Sequence, residues 1–584
     1  MTIFIFITIA LIIGKAYCMM YNRLPSDIIG LAIVATILLT GTLSTADALS
    51  CFSASTVVLV AVLSILVSAL VHSGVLQWIV KYLLGQPRNY KNALIRLMMP
   101  VAFLSSFISN SVVVYMFVSV VRLWSKKLRI APSRLLIPLS YASGLGGICT
   151  LIGAAPNLVI AEFYTEQTGK NLGLFDPLLP GLFCLVVGVL SLIALHRLLP
   201  VRRSPEESFV GSQDYTVELL VPTDCPHVGQ TVEEAKLMRV SGGQLIEIVR
   251  FDLEVISPVP HDEFILGGDR LVYSGQINEI LELRNSHGLV NATHHVFSTN
   301  EINQNRQLQM ATINMDSPLA GQRMADLDFE DSNNVVLVAI ARGGQRLLGI
   351  PRELTLRPGD TLLLEGDKLK PEHFRDNLDF FDTVPLPQSA LRTLVSSIIM
   401  VAMVVMSAFD ILPLLNIAMI AAMLMVLCRC ISFTQLQHAI NWKLLLVFAG
   451  SVCLGKAVEA TGLSTFLASH IQTLCGTSGL LALCVICLTG TIVTEFISNA
   501  AAGAMLAPIA LATAQSLGVN PMTFIIGLMI AVNCSFASPL GSETHTMVYG
   551  PGGYRFGDFA RIGILMNIIM LIANIFIVTI VYPL

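Results

Sequence analysis

Long apolar stretches divide this chain, and polar interruptions inside two of them carry most of the information. A helix needs about 20 apolar residues to cross a bilayer. Candidate spans lie at 1–17, 26–43, 54–80, 134–164 and 176–198, and again at 391–408, 412–428, 442–460, 521–549 and 559–582. Two more apolar segments, about 97–121 and 478–516, each contain Phe-Ile-Ser-Asn, at 107–110 and 496–499. A Ser-Asn interruption at membrane depth leaves backbone groups unpaired unless they line a cavity or bind a solute. The pattern predicts a polytopic α-helical membrane protein, an inverted repeat of ten spans with two re-entrant hairpins and broken helices. The hairpins should turn at 105–111 and 494–500, with arms of about 11 residues reaching half way across at 1.5 Å per residue.

Charge sets the orientation. Lys81, Arg88, Lys91 and Arg96 precede the first hairpin, and Arg122, Lys126, Lys127, Arg129 and Arg134 follow it. The positive-inside rule places both flanks in the cytoplasm, which a single span cannot satisfy. Between Lys456 and Arg555 there is no Lys or Arg, which suits a second hairpin entering from outside. Both termini are then expected outside. Arg197, Arg202 and Arg203 place residues 205–388 in the cytoplasm.

That middle stretch is the one soluble-looking part of the chain, and it repeats itself. Pro226-His-Val-Gly229-Gln230 matches Pro318-Leu-Ala-Gly321-Gln322, Ile248-Val-Arg250 matches Ile340-Ala-Arg342, and Gly268-Asp269 matches Gly359-Asp360. Alternating apolar runs at 244–250, 335–342 and 361–365, with a short helix-like stretch, predict two tandem small α+β domains. The expected division is a first membrane half at 1–204, domains at 205–283 and 309–388 joined by a His/Asn/Gln-rich linker at 284–308, and a second membrane half at 389–584.

Composition agrees with a membrane protein: mean hydropathy is +0.73 over 584 residues, with 13% charged. A net charge of −4 offers no basic surface for nucleic acid, so the lipid bilayer is the expected large partner. Cys484 and Cys487 form a Cys-x-x-Cys inside an apolar run and read as core residues.

The candidate chemistry sits in four breaks. Ser105, Ser109, Asn110 and Ser111 join a Gly/Pro interruption at 146–157, and Thr494, Ser498 and Asn499 join another at 533–542. Unwound carbonyls with Ser and Asn oxygens form a shell for a small hard cation, and helix N-termini after a break face an anion. None of the four breaks contains Lys or Arg, so an anion must be held by amides, hydroxyls and bound cations. That favours cotransport. Glu495 is either a brace for the hairpin turn or an ion or proton ligand. Lys456 and Glu459, one turn apart, read as an interfacial pair, and His470 and His545 as structural. No nucleophile–base constellation points to an enzyme. No Thr-Val-Gly-Tyr-Gly filter points to a channel, although the insert alone could suggest a channel or its regulator.

At these motifs the chain resembles the divalent anion/sodium symporters of the ion-transporter superfamily. Ser109-Asn110-Ser111 and Ser498-Asn499-Ala500 look like that family's Ser-Asn-Thr hairpin motifs, and the 153–157 stretch and Ser538-Pro539 like its second breaks. The insert and the 549–558 stretch are similar to a subgroup carrying C-terminal regulatory domains of potassium-uptake (TrkA-type) proteins, here in two copies. The resemblance implies sodium coupling, an elevator mechanism, a homodimer and a place in the cytoplasmic (inner) membrane. Carried over by motif, one sodium site would use Ser105, Ser109, Asn110 and the Gly153 carbonyl. The other would use Thr494, the Ile497 carbonyl, Asn499 and the Ala537 carbonyl. Substrate would meet Asn110, Ser111, Asn499, Ala500, Ser538 and Pro539. Ala500 lacks the hydroxyl that helps grip a carboxylate in the family, so sulfate or a similar small oxyanion is the expected substrate. A dicarboxylate, a sulfur amino acid, or arsenite or sodium/proton exchange remain as alternatives. The TrkA-type domains would bind a regulatory nucleotide or ion, or serve only for dimerisation.

Overall fold

The structure is a computed structural model. It describes residues 26–73, 84–202 and 390–584 except for isolated positions, residues 10, 11 and 14, and parts of 214–291 and 306–380. The rest of the expected 1–17 span and the 292–305 part of the linker lie outside the described residues.

The first helical part runs α1 (Ser26–Thr40), α2 (Thr45–Ser50), α3 (Ser55–Ser73), α4 (Tyr90–Ser105), α5 (Asn110–Leu128), α6 (Ser133–Gly147), α7 (Ala155–Thr168) and α8 (Leu178–Ala194). The second runs α9 (Ala390–Ala408), α10 (Leu414–Leu427), α11 (Phe433–Ala439), α12 (Trp442–Ala460), α13 (Leu463–Cys475), α14 (Gly479–Val493), α15 (Asn499–Leu517), α16 (Pro521–Asn533), α17 (Glu543–Tyr549) and α18 (Phe556–Val581). Among the described residues four stretches are long and apolar enough to cross a membrane: Thr45–Ser73, Leu391–Ala408, Asn499–Leu517 and Phe556–Val581. A bent pair, Gln435–Ala460 with Leu463–Cys475, makes a fifth. Along α18, Ile564, Ile568, Ile572, Phe576 and Ile580 are exposed, while Phe559, Ile562, Met566 and Met570 are buried. An apolar outer face on a packed helix is what a hydrocarbon solvent requires.

Among the described residues, two expected spans are broken within the predicted interruptions. The 134–164 stretch is divided between α6 and α7, and the 521–549 stretch between α16 and α17, because Gly147, Pro156 and the run from Cys534 to Ser542 stop the helical ladder. The hairpin arms are longer than expected, at 16 and 19 residues for α4 and α5 and 15 and 19 for α14 and α15. The first arm begins early because 90–96 is amphipathic. Ala93 and Leu94 face the core while Lys91 and Arg96 stay exposed, so basic residues that resembled a flanking loop are helical. By length and composition α15 qualifies as a span in its own right.

Both α4–α5 and α14–α15 fold back on themselves. The Trp124 indole near the end of α5 donates to the Gly85 carbonyl ahead of α4 (2.8 Å). A Cβ on Gly479, at the start of α14, would lie 3.2 Å from Val519, just past α15. Helix stops at Ser105 and resumes at Asn110, and stops at Val493 and resumes at Asn499, inside the expected turns.

The middle of the chain forms two antiparallel sheets, built from β1 (Asp214–Leu220), β2 (Arg239–Val240), β3 (Gly243–Arg250), β4 (Glu254–Ile256), β5 (Arg270–Gln276) and β6 (Val290–Asn291), then β7 (Arg306–Ile313), β8 (Val335–Arg342), β9 (Gln345–Arg346), β10 (Thr361–Asp367) and β11 (Leu378–Phe380). The first sheet runs β2-β3-β5-β1-β6 with β4 also paired to β3, and the second runs β9-β8-β10-β7-β11. The shared order is β4-β3-β5-β1-β6 against β9-β8-β10-β7-β11, and β2 has no counterpart among the described residues. The repeated motif residues do the same work in each. Arg250 holds Asp269 with two bonds (3.1 and 3.0 Å), and Arg342 holds Asp360 with two (both 2.7 Å). The bonded carboxylate pushes each guanidinium pKa above its ordinary value. Among the described residues these units contain strands and turns, and the expected helix-like stretch is not seen there.

Candidate functional site

The first cluster forms where the α4–α5 turn meets the α6–α7 break. The Ser105 hydroxyl lies 2.7 Å from the Ser143 hydroxyl. In the amide orientation that satisfies its surroundings, Asn110 Nδ2 donates to Ser105 Oγ (3.2 Å), the Ser143 carbonyl (3.1 Å) and the Gly153 carbonyl (3.3 Å). Gly147 leaves room for this amide, since a Cβ there would sit 2.8 Å from it. Ser106 donates to the carbonyls of Ala102 (2.9 Å) and Gly146 (3.0 Å), and Thr150 donates to the Ser106 carbonyl. Asn157, at the start of α7, donates to the carbonyls of Gly147 (3.0 Å) and Thr150 (2.9 Å). The break is thus held open by side chains, as buried unwound backbone requires.

The second cluster repeats the arrangement. Thr494 Oγ1 lies 2.7 Å from both Asn499 Oδ1 and the Val532 carbonyl. A hydroxyl has one proton, so two acceptor oxygens share a single donor. In each hairpin a hydroxyl at the end of the first arm meets the Asn five residues on, Ser105 with Asn110 and Thr494 with Asn499. The buried Ser498 hydroxyl has no hydrogen-bond partner among the described residues, nor does that of Ser535. Glu495 is buried and braces the tip: its Oε1 accepts from the Ala537 amide (2.9 Å) and from Asn567 on α18 (2.6 Å). Asn567 Oδ1 in turn accepts from the Phe536 amide (3.1 Å).

The two clusters touch. Asn533 Nδ2 donates to Asn157 Oδ1 (2.8 Å), joining the α16–α17 break to the α6–α7 break. Tyr141 on α6 donates to the Phe536 carbonyl (2.6 Å), and Ser140 to Thr544 (2.9 Å). Ser111 donates to Glu543 Oε2 (2.7 Å). Behind each break a helix presents a glycine. A Cβ on Gly181 of α8 would lie 2.5 Å from the Ile148 carbonyl, and one on Gly563 of α18 would collide with the Phe536 carbonyl.

Of the sequence-derived candidates, Ser105, Asn110 and Gly153 come together, as do Thr494 and Asn499. Ser109 is exposed at the first tip. Ile497 and Ala500 are buried at the second tip, and Ala537, Ser538 and Pro539 lie in the break beside it, where Thr546 donates to the Pro539 carbonyl (2.9 Å). The sequence pattern gives Ser106, Ser140, Ser143, Glu543 and Asn567 no role, and marks Thr150 only as part of the 146–157 interruption. Single hydroxyls in helices mostly bond back to their own turn, so nothing in the one-dimensional pattern separates these from the rest. The expected Lys456–Glu459 pair is not formed. Lys456 instead pairs with Glu166 of α7 (2.9 Å), and Glu459 accepts from Gln167 (3.1 Å), because α7 packs close enough to compete. His545 is buried against Ser140 (2.6 Å), and His470 is exposed on its own helix.

Chemically the assembly offers hydroxyl, amide and carbonyl groups. Among the described residues there is no group of three or more His, Cys, Asp or Glu placed to hold a metal ion. Oxygen shells of this kind suit a hard cation with weak geometric demands.

The comparisons with known proteins extend this picture. Residues 385–583 match the sodium:sulfate symporter transmembrane region. An uncharacterized transporter of Synechocystis, sll0640, is 30% identical, with 99% of this chain and 97% of that protein aligned. A putative sulfur deprivation response regulator of Chlamydomonas reinhardtii is 27% identical over 94% of this chain and 96% of its own length. From the same alga, a probable sodium/sulfate cotransporter 3 is 22% identical over 86% of this chain and 80% of its own length. Residues 8–474 match the profile described as citrate transporter, and on the extent of that match this chain belongs to the citrate transporter family, whose members are multi-pass membrane transporters.

Proposed function

We propose that the protein is a sodium-coupled symporter of a small oxyanion, with sulfate or a close analogue as cargo, moving by an elevator-type displacement of the hairpins and broken helices against the remaining spans. The observation that carries this reading is the pair of hairpin tips, each with an Asn side chain, a hydroxyl and a broken-helix carbonyl drawn together and no Lys or Arg in the breaks. Sodium would replace the N–H and O–H donors that now hold those oxygens, and its charge would offset that of the anion. The sodium:sulfate match and the algal cotransporter favour sulfate. The citrate-transporter match favours a carboxylate, which is the second reading. In both, the halves form an inverted repeat, the two sheets are TrkA-type modules in the cytoplasm that regulate transport, and the assembly is a homodimer.

The test is a thermal-shift screen of purified protein against sulfate, thiosulfate, succinate and citrate, each in sodium and in choline. A ligand present at a hundred times its Kd stabilises by about 2.7 kcal/mol. Stabilisation by sulfate or thiosulfate in sodium alone is expected. Stabilisation by citrate alone would replace the oxyanion reading, and sodium-independent shifts would remove the coupling. Residue 500 supplies a second check. Ala500→Thr adds a hydroxyl at the second tip and should move the preference toward carboxylates by about tenfold, the worth of one hydrogen bond. An unchanged substrate profile would dismiss that position.

A further inference from the structure

The two sheet modules share repeated motifs and most of their strand order, yet among the described residues their matching Gly-Asp turns meet different surroundings. The Gly-Asp turn closes the same way in both. The Gly268 amide donates to the Val221 carbonyl (2.8 Å) and the Gly359 amide to the Ile313 carbonyl (2.9 Å). Both glycines hold positive φ, +94° and +85°, and both turns are clamped by an Arg–Asp pair. Their surroundings differ. A Cβ on Gly268 would meet nothing within 4 Å, whereas one on Gly359 would lie 2.7 Å from the Tyr549 ring. The fit is reciprocal: a Cβ on Gly550 would lie 2.5 Å from the Thr312 methyl and 3.0 Å from the Gly359 carbonyl.

Tyr549 is the last residue of α17, a helix of only seven residues. The other end of that helix, Glu543, takes the Ser111 hydroxyl, and its middle holds Ser140 through Thr544 and His545 and the Pro539 carbonyl through Thr546. A displacement of the Gly359 turn therefore reaches Ser111 and Pro539 through less than two helical turns.

We propose that the insert acts on transport through this one contact, the Gly359 turn of the second module seated on Tyr549 and Gly550, while the equivalent turn of the first module plays no part in it. The proposal rests on the reading that the insert regulates transport. α17 is the element displaced when the module moves, and a ligand on the insert would alter uptake by shifting α17 against α5 and α6.

The matched turns provide the experiment. Alanine strains the backbone at 268 and 359 alike, because both φ values lie where a Cβ is disfavoured. Only at 359 does the added methyl also collide with Tyr549. In the full-length protein, G359A should raise hydrogen exchange across 545–554 several-fold and shift sodium-driven uptake of labelled sulfate or citrate in the same direction as deletion of 207–386. G268A should leave both at the wild-type value. G550A should reproduce G359A, and T312S, which removes the opposing methyl, should bring G550A back toward wild type if G359A itself folds poorly. Equal exchange across 545–554 in G359A and G268A, or a G550A effect indifferent to T312S, would overturn the contact. If deletion of 207–386 leaves uptake unchanged while the exchange difference persists, the docking stands and the regulatory reading on which the proposal rests falls.

Discussion

Asn110→Ala and Asn499→Ala should each abolish sodium-driven uptake in protein that still folds and inserts. Each Asn opens the second arm of a hairpin and meets the last hydroxyl of the first. The Asn110 amide holds three oxygens that otherwise have no common donor. Its loss leaves those oxygens without the donor that holds them together and undoes the geometry a cation would use. Leaving a buried polar group unsatisfied costs about 1–3 kcal/mol. At 1.36 kcal/mol per tenfold, losing two such interactions in the loaded state lowers uptake by about a hundredfold or more. The measurement is initial uptake in proteoliposomes at fixed sodium, with the melting temperature as the folding control. Wild-type rates in both variants would dismiss the paired-hairpin site. Loss in one alone would confine it to that half.

The second large effect is expected at Glu495. Its carboxylate accepts from the Ala537 amide and from Asn567, so one side chain ties the tip of the second hairpin, the α16–α17 break and α18 together. Glu495→Ala leaves two half-buried donors without their acceptor, a cost of about 1–3 kcal/mol. A marked fall in melting temperature and loss of uptake should appear together. Glu495→Gln keeps an oxygen in the same place and should retain most of both. A proton carrier would behave differently: Glu495→Gln would erase the pH dependence of uptake while leaving the melting temperature alone. Measuring melting and a pH profile on the two variants separates a brace from a carrier.

The hairpin tips were legible in the sequence because membrane helices tolerate so few polar interruptions. Ser-Asn in an apolar run has few bland explanations, and two copies have fewer. The Gly and Pro residues that break α6–α7 and the Pro beside the α16–α17 break were legible for the same reason. The ends of the arms were not, because Lys91 and Arg96 suit an amphipathic helix at a membrane surface as well as a loop. Ser105, Gly153 and Thr494 were grouped with the two Asn residues by motif, but the more distant hydroxyls around the first tip were invisible. Ser143 and Thr150 lie about 40 residues from the tip they hold, and nothing local marks a hydroxyl that bonds across rather than back. Asn567 and Glu543 belong to stretches whose pattern called for nothing there. Lys456 was misassigned because the sequence puts Glu459 one turn away, while the fold puts Glu166 at 2.9 Å. The Arg–Asp clamps of the two sheet modules lay in motifs recognised only as repeats, and the structure shows what those motifs do.

The Asn533–Asn157 bond has a consequence for order of loading. It joins the two interruptions directly, so a shift of one strains the bond to the other. A solute that stiffens one half lowers the entropic cost of settling into the other, and linkage makes the benefit mutual. Occupancy of the two halves should therefore rise together, steeply, rather than as independent saturations.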